Sequence, residues 1–316
     1  MKKVLYVFAI VLFFITLFSA CFALFNKTPY PSESDIDSDC SSKYLYCRYD
    51  STYNYETSSG ALRIYVPTDV GYINYNIAHA IHNGINANNW RTSLAFACDD
   101  NFENEYVLTY TGEWDMALRI KDRDDFIGGV LHGDEIYTSL SVFVDGNEVD
   151  VTSITDLTTF EEIVIKVESV GYDPADHTTQ VLKHYKEYLI DANGILLNQK
   201  VEFLGDYTMS YCYLAMMPPL KTFTNMYYTN VDYTPATIQY GETQNVSKVV
   251  LYGDNLTFVM SIPKYPNLIG GNNLSIRDNG GLAYNKMYFT LCNGQNVVAG
   301  DIWESSTIWK IGNKQK

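Results

Sequence analysis

Ionisable residues and glycines are concentrated in residues 119–146, RIKDRDDFIGGVLHGDEIYTSLSVFVDG. Glycines on both sides of His132 allow tight backbone turns that other residues reach only at a cost, so this segment can present an imidazole. Glu135 follows closely, and an imidazole beside a carboxylate is held in one tautomer and titrates near neutral pH. We therefore predict a functional loop carried on a β-sheet. In it His132 is an acid or base, Glu135 is its partner, and Arg123 contacts substrate.

Two other interpretations of this segment remain open. It can be a glycine-rich turn with a solvated acidic rim, or its clustered oxygen atoms can bind Ca²⁺. The spacing of the acids matches no EF-hand loop, and no CxxC spacing indicates zinc. We therefore assign no metal ligands and no cofactor, and Ca²⁺ is the one candidate ion.

Further candidates lie in two strand-like segments and in the loop before one of them. His184 shares a face with Leu182 and Tyr188 on an alternating segment, so it lies either at the edge of the core with a hydrogen-bond partner or at the base of a cleft. We rank His184 and Tyr211 as further catalytic candidates. His177 follows Pro and Asp residues in a loop, and it is either simply exposed or a substrate contact.

A third group follows an Asn-rich turn. Asn88, Asn89, Trp90 and Arg91 combine amides, a guanidinium and a flat apolar ring, which together suit the hydroxyl edges, carboxylates and CH faces of sugars. We predict that these four residues bind substrate. The alternative is an Asn-rich turn followed by a buried Trp.

These candidates are positioned by strands throughout. Alternating apolar residues between frequent Gly, Asn, Asp and Pro turns predict an all-β, antiparallel β-sandwich of the super-sandwich or jelly-roll type, with few short helices. Residues 106–111 and 114–120 are predicted to form a hairpin around Gly112. One further predicted strand begins just after Gly71. The others cover 60–68, 90–97, 141–144, 161–170, 179–190, 195–204, 207–217, 246–252, 256–262, 282–292 and 297–311.

The N-terminal residues have the order of a secretory signal, with two lysines, an apolar run and then small residues. We predict a signal peptide over residues 1–23, or a lipoprotein signal ending before Cys21. A retained membrane anchor is the alternative, because the apolar run approaches the ~20 residues of a spanning helix. A tether over 24–50 and a single sandwich domain over 51–316 follow. The protein is then secreted or held at the cell surface.

The net charge and the absence of known motifs exclude several functions, and the cysteine positions indicate which thiols are buried or paired. The net charge of −15 argues against nucleic acid and against docking on anionic lipid, so membrane contact is expected only through the signal or a lipid anchor. Motifs for serine hydrolases, zinc proteases and nucleotide binding are absent. Cys40 and Cys47 are close enough to close a small disulfide loop, whereas Cys98, Cys212 and Cys292 are predicted to be buried free thiols.

Several segments carry a resemblance to known families. NANNWR, DFIGGVLHGDE, YDPADHT, YLAMMP and DNGGLAYNK resemble an uncharacterised domain of phage tail-fibre-like and gut-bacterial surface proteins. More distantly, the chain resembles the aldose-mutarotase-like super-sandwich, which is shared by sugar epimerases and some polysaccharide lyases. In mutarotases an LHGG segment carries a catalytic His, and GGVLHGD places His132 there. The second family His lies in an NHTYFNL-like segment, of which this chain has only DHT at 176–178.

Together these observations favour a protein whose partner is a carbohydrate or polysaccharide. The preferred hypothesis is an enzyme of the polysaccharide lyase or epimerase type, in which Arg91 and Asn89 hold the carboxylate or hydroxyls of the sugar and His132 moves a proton. The alternative is a non-catalytic glycan-binding or adhesion module of a surface or phage-tail-like protein.

Overall fold

The structure is a computed structural model that describes residues 44–55, 58–69, 71–128, 132–239, 241–243, 246–266, 273–278, 280–292 and 294–313. The predicted signal peptide over 1–23 and most of the predicted tether lie outside these ranges. The end of the tether prediction is wrong, because residues 45–50 already form a paired strand of a sheet. Among the described residues, no helix has the length and apolar character needed to cross a membrane.

Strands make up most of the described chain. The first twelve are β1 (Leu45–Asp50), β2 (Ser58–Thr68), β3 (Gly71–His82), β4 (Ala87–Cys98), β5 (Glu105–Val107), β6 (Ala117–Ile120), β7 (Ile127–Gly128), β8 (Glu135–Val144), β9 (Asn147–Val149), β10 (Thr158–Phe160), β11 (Ile163–Tyr172) and β12 (Gln180–Asp191). The others are β13 (Gly194–Phe203), β14 (Tyr207–Met217), β15 (Met226–Thr229), β16 (Ala236–Thr237), β17 (Gly241–Thr243), β18 (Lys248–Tyr252), β19 (Leu256–Lys264), β20 (Asn273–Asp278), β21 (Asn285–Cys292), β22 (Gln295–Val297) and β23 (Ile302–Asn313). Short 3-10 helices cover Asn83–Ile85, Val151–Ser153 and Lys221–Phe223.

These strands form two sheets. The larger sheet has 16 strands in the order β10-β1-β2-β3-β4-β8-β11-β12-β13-β23-β19-β18-β15-β16, with β5 beside β4 and β9 beside β8. The smaller sheet has 7 strands in the order β17-β20-β21-β14-β6-β7, with β22 beside β14. Neighbouring strands are antiparallel, apart from a short parallel contact between β4 and β8. The predicted all-β sandwich with short helices is confirmed.

The hydrophobic core lies between the sheets and draws side chains from both. From the smaller sheet, Leu118, Leu214 and Met287 join a cluster that also contains Tyr188 and Trp309 of the larger sheet. Strand β12 shows how period-two alternation builds this arrangement, because every second side chain from Leu182 to Ile190 is buried and those between are partly or fully exposed. The predicted face of His184 is therefore confirmed.

Most predicted strands are present, but one predicted hairpin is wrong. Strand β14 has the predicted bounds, and the turn between β12 and β13 falls where DANG placed it. Residues 106–120 do not pair with each other: β5 pairs with β4 in the larger sheet, and β6 pairs with β14 in the smaller one. Residues 111–116, which we call the bridging segment, lie between these strands as an irregular and fully buried stretch.

The described cysteine side chains are buried. Cys98 is a buried free thiol as predicted, and burial raises its pKa to about 11. Cys212 is buried as well. Cys47 is also a free buried thiol rather than half of a small disulfide loop, and burial raises its pKa to about 12. Cys40 and the side chain of Cys292 lie outside the described part of the chain.

Candidate functional site

A cavity of about 190 Å³ lies on the face of the smaller sheet that is turned away from the core. On β6 and β21 the face follows from alternation, because Leu118 and Met287 point into the core while their strand neighbours Ala117, Lys286 and Tyr288 line the cavity. The lining residues are Glu113, Ala117, Phe126, His132, Tyr213, Met216, Lys286 and Tyr288. Of the ten residues predicted to be catalytic or substrate-binding, all of which are described, His132 alone lines this cavity.

His132 is held by a carboxylate. Its Nδ1 lies 2.6 Å from Oδ1 of Asp125, and its ring lies 4.7 Å from the ring of Phe126. An ionised carboxylate only accepts hydrogen bonds, so Nδ1 carries a proton and donates a hydrogen bond to Asp125. The other ring nitrogen, Nε2, is then the atom that exchanges protons. The predicted partner of His132 was Glu135, and the structure supplies Asp125 in its place.

An ion pair lines the cavity beside this His–Asp pair. Lys286 Nζ donates a hydrogen bond to Glu113 Oε2, and both side chains are largely buried. The same ammonium lies 4.9 Å from the ring centroid of Tyr288. The cavity therefore contains a carboxylate and a fixed cation where little water competes, which strengthens their interaction with a ligand.

Phe126, Tyr213 and Tyr288 form a continuous row of rings, which we call the aromatic row. Centroids are 5.9 Å apart between Phe126 and Tyr213, and 5.0 Å apart between Tyr213 and Tyr288. Burial raises the pKa of Tyr213, so its hydroxyl stays protonated at neutral pH and can donate a hydrogen bond. Arg119 lies over the Phe126 end of the row and Arg277 over the Tyr288 end, at 5.4 and 5.0 Å.

The bridging segment carries Glu113 to the cavity. A buried irregular backbone needs hydrogen-bond partners. The carbonyl of Trp114 accepts a bond of 2.7 Å from the Met216 amide of the smaller sheet. On the other side, Arg91 Nη1 lies 3.5 Å from the Gly112 carbonyl. The segment is thus bonded to both sheets.

Asp115 attaches the bridging segment to strand β12 through buried charges. Its Oδ2 accepts a hydrogen bond of 2.5 Å from the Tyr188 hydroxyl, and it lies 3.5 Å from Lys186 Nζ. Lys186 also donates to the carbonyl of Trp90 at 2.7 Å. Each of the two carboxylates in the segment therefore pairs with a lysine of a different sheet.

Glu135 and His184 form a separate buried pair within the sandwich. Oε1 of Glu135 lies 2.8 Å from His184 Nδ1 and 2.5 Å from the Ser169 hydroxyl, while His184 Nε2 lies 3.1 Å from Gln199. Burial acts to raise the pKa of Glu135, but Lys186, His184 and these hydrogen bonds outweigh it and hold the pKa well below its usual range. Both side chains are buried, so this pair corresponds to the satisfied core histidine rather than to the base of a cleft.

Asp134 joins three segments of the chain that lie close to predicted site residues. His177 Nδ1 lies 2.7 Å from Asp134 Oδ1, and Asn86 Nδ2 lies 3.3 Å from the same oxygen. All three residues have positive φ, and the Asp134 amide donates to the Ile85 carbonyl. This junction anchors the chain just after His132. His177 itself is 55% exposed, and the hydrogen bond and charge of Asp134 raise its pKa.

The other predicted residues lie away from the cavity. Trp90 is buried and stacks on His79 at 5.1 Å, and the amide oxygen of Asn88 accepts a hydrogen bond from Nε2 of the same imidazole. Asn89 and Arg91 are buried, and neither lines the cavity. Among the candidates that remain, Arg123 forms a two-bond ion pair with Asp173, and Tyr211, 40% exposed, lies against Arg119 at 4.8 Å.

Sequence reasoning missed most of the cavity. Glu113 and Lys286 gave no motif, because a charged residue in a turn or in an alternating segment usually indicates a solvated surface. Tyr213 and Tyr288 alternate with apolar residues in YCYLAMM and KMYFTLC, and this pairing of aromatic and apolar faces was the available signal.

In the part of the chain that the structure describes, no group of three His, Cys, Asp or Glu side chains is arranged to hold a metal ion.

Comparisons with known proteins find only distant neighbours. No family model matches the chain, and no curated protein matches its sequence. The galactosidase domain of an alpha-galactosidase-sucrose kinase aligns with a TM-score of 0.43 and 8% identity over 83% of this chain and 41% of that one. The 4-alpha-glucanotransferase from Thermococcus litoralis aligns with a TM-score of 0.36 and 7% identity over 78% of this chain and 37% of that one. The chain spans less than half of either neighbour, and likeness at this level does not bear on function.

Proposed function

We propose that the cavity binds a sugar of a carbohydrate or polysaccharide, and that His132 transfers a proton to or from it in a reaction of the lyase or epimerase type. One observation carries the proposal: the His132–Asp125 pair lies in a cavity that also contains the aromatic row and the Glu113–Lys286 ion pair. A proton-transfer group, an apolar ring surface and fixed charges are the parts that such chemistry needs.

The aromatic row supports sugar binding. The CH face of a sugar ring is apolar, so it packs on Tyr or Phe while its hydroxyls bond to polar groups around the rings. The Tyr213 hydroxyl and the Glu113 carboxylate are such groups. The cavity volume of about 190 Å³ lies below the ~300 Å³ at which drug-sized pockets begin, which suits one ring rather than a buried chain.

The cations support recognition of developing negative charge. In a lyase reaction, His132 Nε2 takes the proton from the carbon next to a uronate carboxylate. Lys286 and Arg119 stabilise the negative charge that develops there. The glycosidic C–O bond then breaks as the C=C bond forms, and the leaving oxygen takes the proton from the His132 imidazolium, which restores the neutral imidazole. In an epimerase reaction the same nitrogen moves a proton to or from a ring or hydroxyl oxygen. Asp125 stabilises the imidazolium in both cases.

A single pair of variants tests the proposal. The protein is incubated with uronate polysaccharides, with absorbance of the unsaturated product as readout, and with single anomers of neutral sugars, with NMR of anomer exchange as readout. We expect His132→Gln to lower turnover about 100-fold or more, the typical size of a general acid–base contribution. The matched substitution His82→Gln, at the end of β3, should leave turnover unchanged. Equal turnover in wild type and His132→Gln would remove His132 from the reaction.

The aromatic row also favours a second candidate function, a non-catalytic glycan-binding module, because rings and cations bind sugars without a proton-transfer group. In that case calorimetry detects binding that His132→Gln retains and Tyr213→Ala loses, and prolonged incubation yields no product. Turnover that depends on His132 would exclude this candidate.

A further inference from the structure

A second and larger cavity, of about 430 Å³, lies where strands β19 and β23 of the larger sheet approach β22 of the smaller one. Its volume falls within the range of roughly 300–1,000 Å³ that is usual for ligand sites. Its lining includes Tyr265, Gln295, Asn296, Asp301, Trp303 and Glu304, none of which lines the first cavity. It is therefore a separate place on the molecule.

The lining combines apolar surface with side-chain amides. Tyr265 is 41% exposed, and its ring is held edge-on against Phe289 at 6.3 Å. Gln295 and Asn296 stand at the start of β22, where the amide oxygen of Asn296 accepts a bond of 2.7 Å from the Thr208 hydroxyl. A ring with an open face next to amide donors and acceptors matches the CH face and hydroxyl edge of a sugar.

Charge in this cavity selects against anions. Among the described residues that line this cavity, Lys264 is the one basic residue, and its ammonium is already bonded to Glu304 at 2.7 Å. The Asp301 carboxylate accepts a bond from the Val298 amide and adds a second negative charge. Two carboxylates against one paired ammonium leave no surplus positive charge to attract a uronate. In the first cavity Lys286 is likewise paired, with Glu113, but arginines lie over both ends of its aromatic row and add positive charge.

Several contacts fix the lining before any ligand arrives. Trp303 packs edge-on against Phe203 at 4.7 Å, and Asp301 holds the turn before β23 through the Val298 amide. Side chains that are already ordered lose little entropy on binding, which favours affinity. From these contacts we infer that this cavity is a binding site for a neutral saccharide, independent of the reaction proposed at His132.

Binding is tested with neutral tetrasaccharides of glucose, galactose and mannose, and with tetragalacturonate as the anionic counterpart. Each is titrated into the full chain while tryptophan fluorescence is followed, since Trp303 lines the cavity. At millimolar concentration we expect one or more neutral tetrasaccharides to bind and tetragalacturonate to leave the Trp303 signal unchanged. Trp303→Phe should abolish the fluorescence change without abolishing binding in calorimetry.

The control variants separate this site from the first cavity. Tyr265→Ala should weaken neutral binding about tenfold, the size of a lost ring contact, and Gln295→Ala should weaken it in the same direction. His132→Gln and Lys286→Ala should leave it unchanged, so failure of the proposed reaction does not affect this result. Absence of neutral binding, binding that Tyr265→Ala retains in full, or a preference for tetragalacturonate would each overturn the inference. Thermal melts of each variant confirm that it is folded.

Discussion

Lys186 is a buried cation whose removal should be costly, and the neighbouring strand offers a matched control. Its side chain is fully buried, with Asp115 Oδ2 at 3.5 Å and the Trp90 carbonyl at 2.7 Å. Lys186→Met removes the ammonium and keeps an unbranched side chain. Lys166→Met makes the same change on β11, where Lys166 pairs with Glu187 at 3.3 Å and both side chains are well exposed.

The expected losses in free energy of unfolding differ between the two variants because one lysine is buried and the other is exposed. At 3.5 Å, Coulomb's law with an effective dielectric of roughly 20 gives about 5 kcal/mol for Lys186 and Asp115, in line with the ~3–5 kcal/mol lost when one partner of a buried pair is removed. The exposed pair is screened by water, so Lys166→Met should change the free energy of unfolding by about 0–1 kcal/mol. A domain stable by ~5–15 kcal/mol should survive both changes.

The loss should also depend on pH. Lys186 helps to hold the pKa of Glu135 below its usual range, so Glu135 contributes stability above the ordinary glutamate pKa of about 4.3, and this contribution is lost as pH falls through the depressed folded value. Without Lys186 the folded pKa of Glu135 rises and the contribution shrinks. The difference in stability between wild type and Lys186→Met should therefore be larger at pH 7 than at pH 4.

Urea denaturation followed by tryptophan fluorescence measures the free energy of unfolding of wild type and both variants, at pH 7 and at pH 4. We expect Lys186→Met to lower the free energy of unfolding by at least ~2 kcal/mol more than Lys166→Met does at pH 7. Equal losses in the two variants, or a Lys186→Met loss that grows as pH falls, would refute the electrostatic account of the bridging segment.

Two further predictions concern the junction at Asp134. A Cβ on Gly133 (φ +83) would lie 1.7 Å from the Ile85 carbonyl oxygen, whereas Gly146 (φ +79) has no such neighbour within 4 Å. Gly146→Ala should thus lower the free energy of unfolding by only the ~1–2 kcal/mol of a positive φ. In urea denaturation Gly133→Ala should lower it clearly more. Equal losses would contradict the close approach of Gly133 to Ile85. Because the hydrogen bond and charge of Asp134 raise the pKa of His177, this pair stabilises the fold below the ordinary imidazole pKa of about 6.5, and the effect is lost as pH rises through the raised value. NMR titration should give a His177 pKa that falls in Asp134→Asn, and an unchanged value would contradict the pairing.

Period-two alternation was enough to predict most strands and the inward face of β12, because it reflects burial on one side of a strand. His184 was placed on the correct face for this reason. The pairing of His184 with Glu135 was beyond the sequence, since it depends on β8 and β12 lying on either side of β11. A local pattern contains no information about such neighbours.

The wrong hairpin at 106–120 has the same cause. Alternation identified strand-like residues on both sides of Gly112 but could not tell that β5 and β6 belong to different sheets. Glu113 was therefore predicted to lie in a hairpin turn and Asp115 in the strand after it, whereas both belong to the segment that crosses between the sheets. Its burial depends on lysines that lie far along the chain, Lys186 and Lys286, whose positions only the folded structure reveals.

The position of β23 has a consequence for how the molecule is made. In the larger sheet this strand lies between β13 and β19, although both are synthesised before it. Until Asn313 has left the ribosome, the sheet can exist only as two incomplete parts, each with an unpaired edge open to other chains. At roughly 5–20 residues per second, the stretch from β19 to β23 takes seconds to emerge. A nascent chain is therefore most prone to aggregate in this interval, and insertion of one late strand ends it.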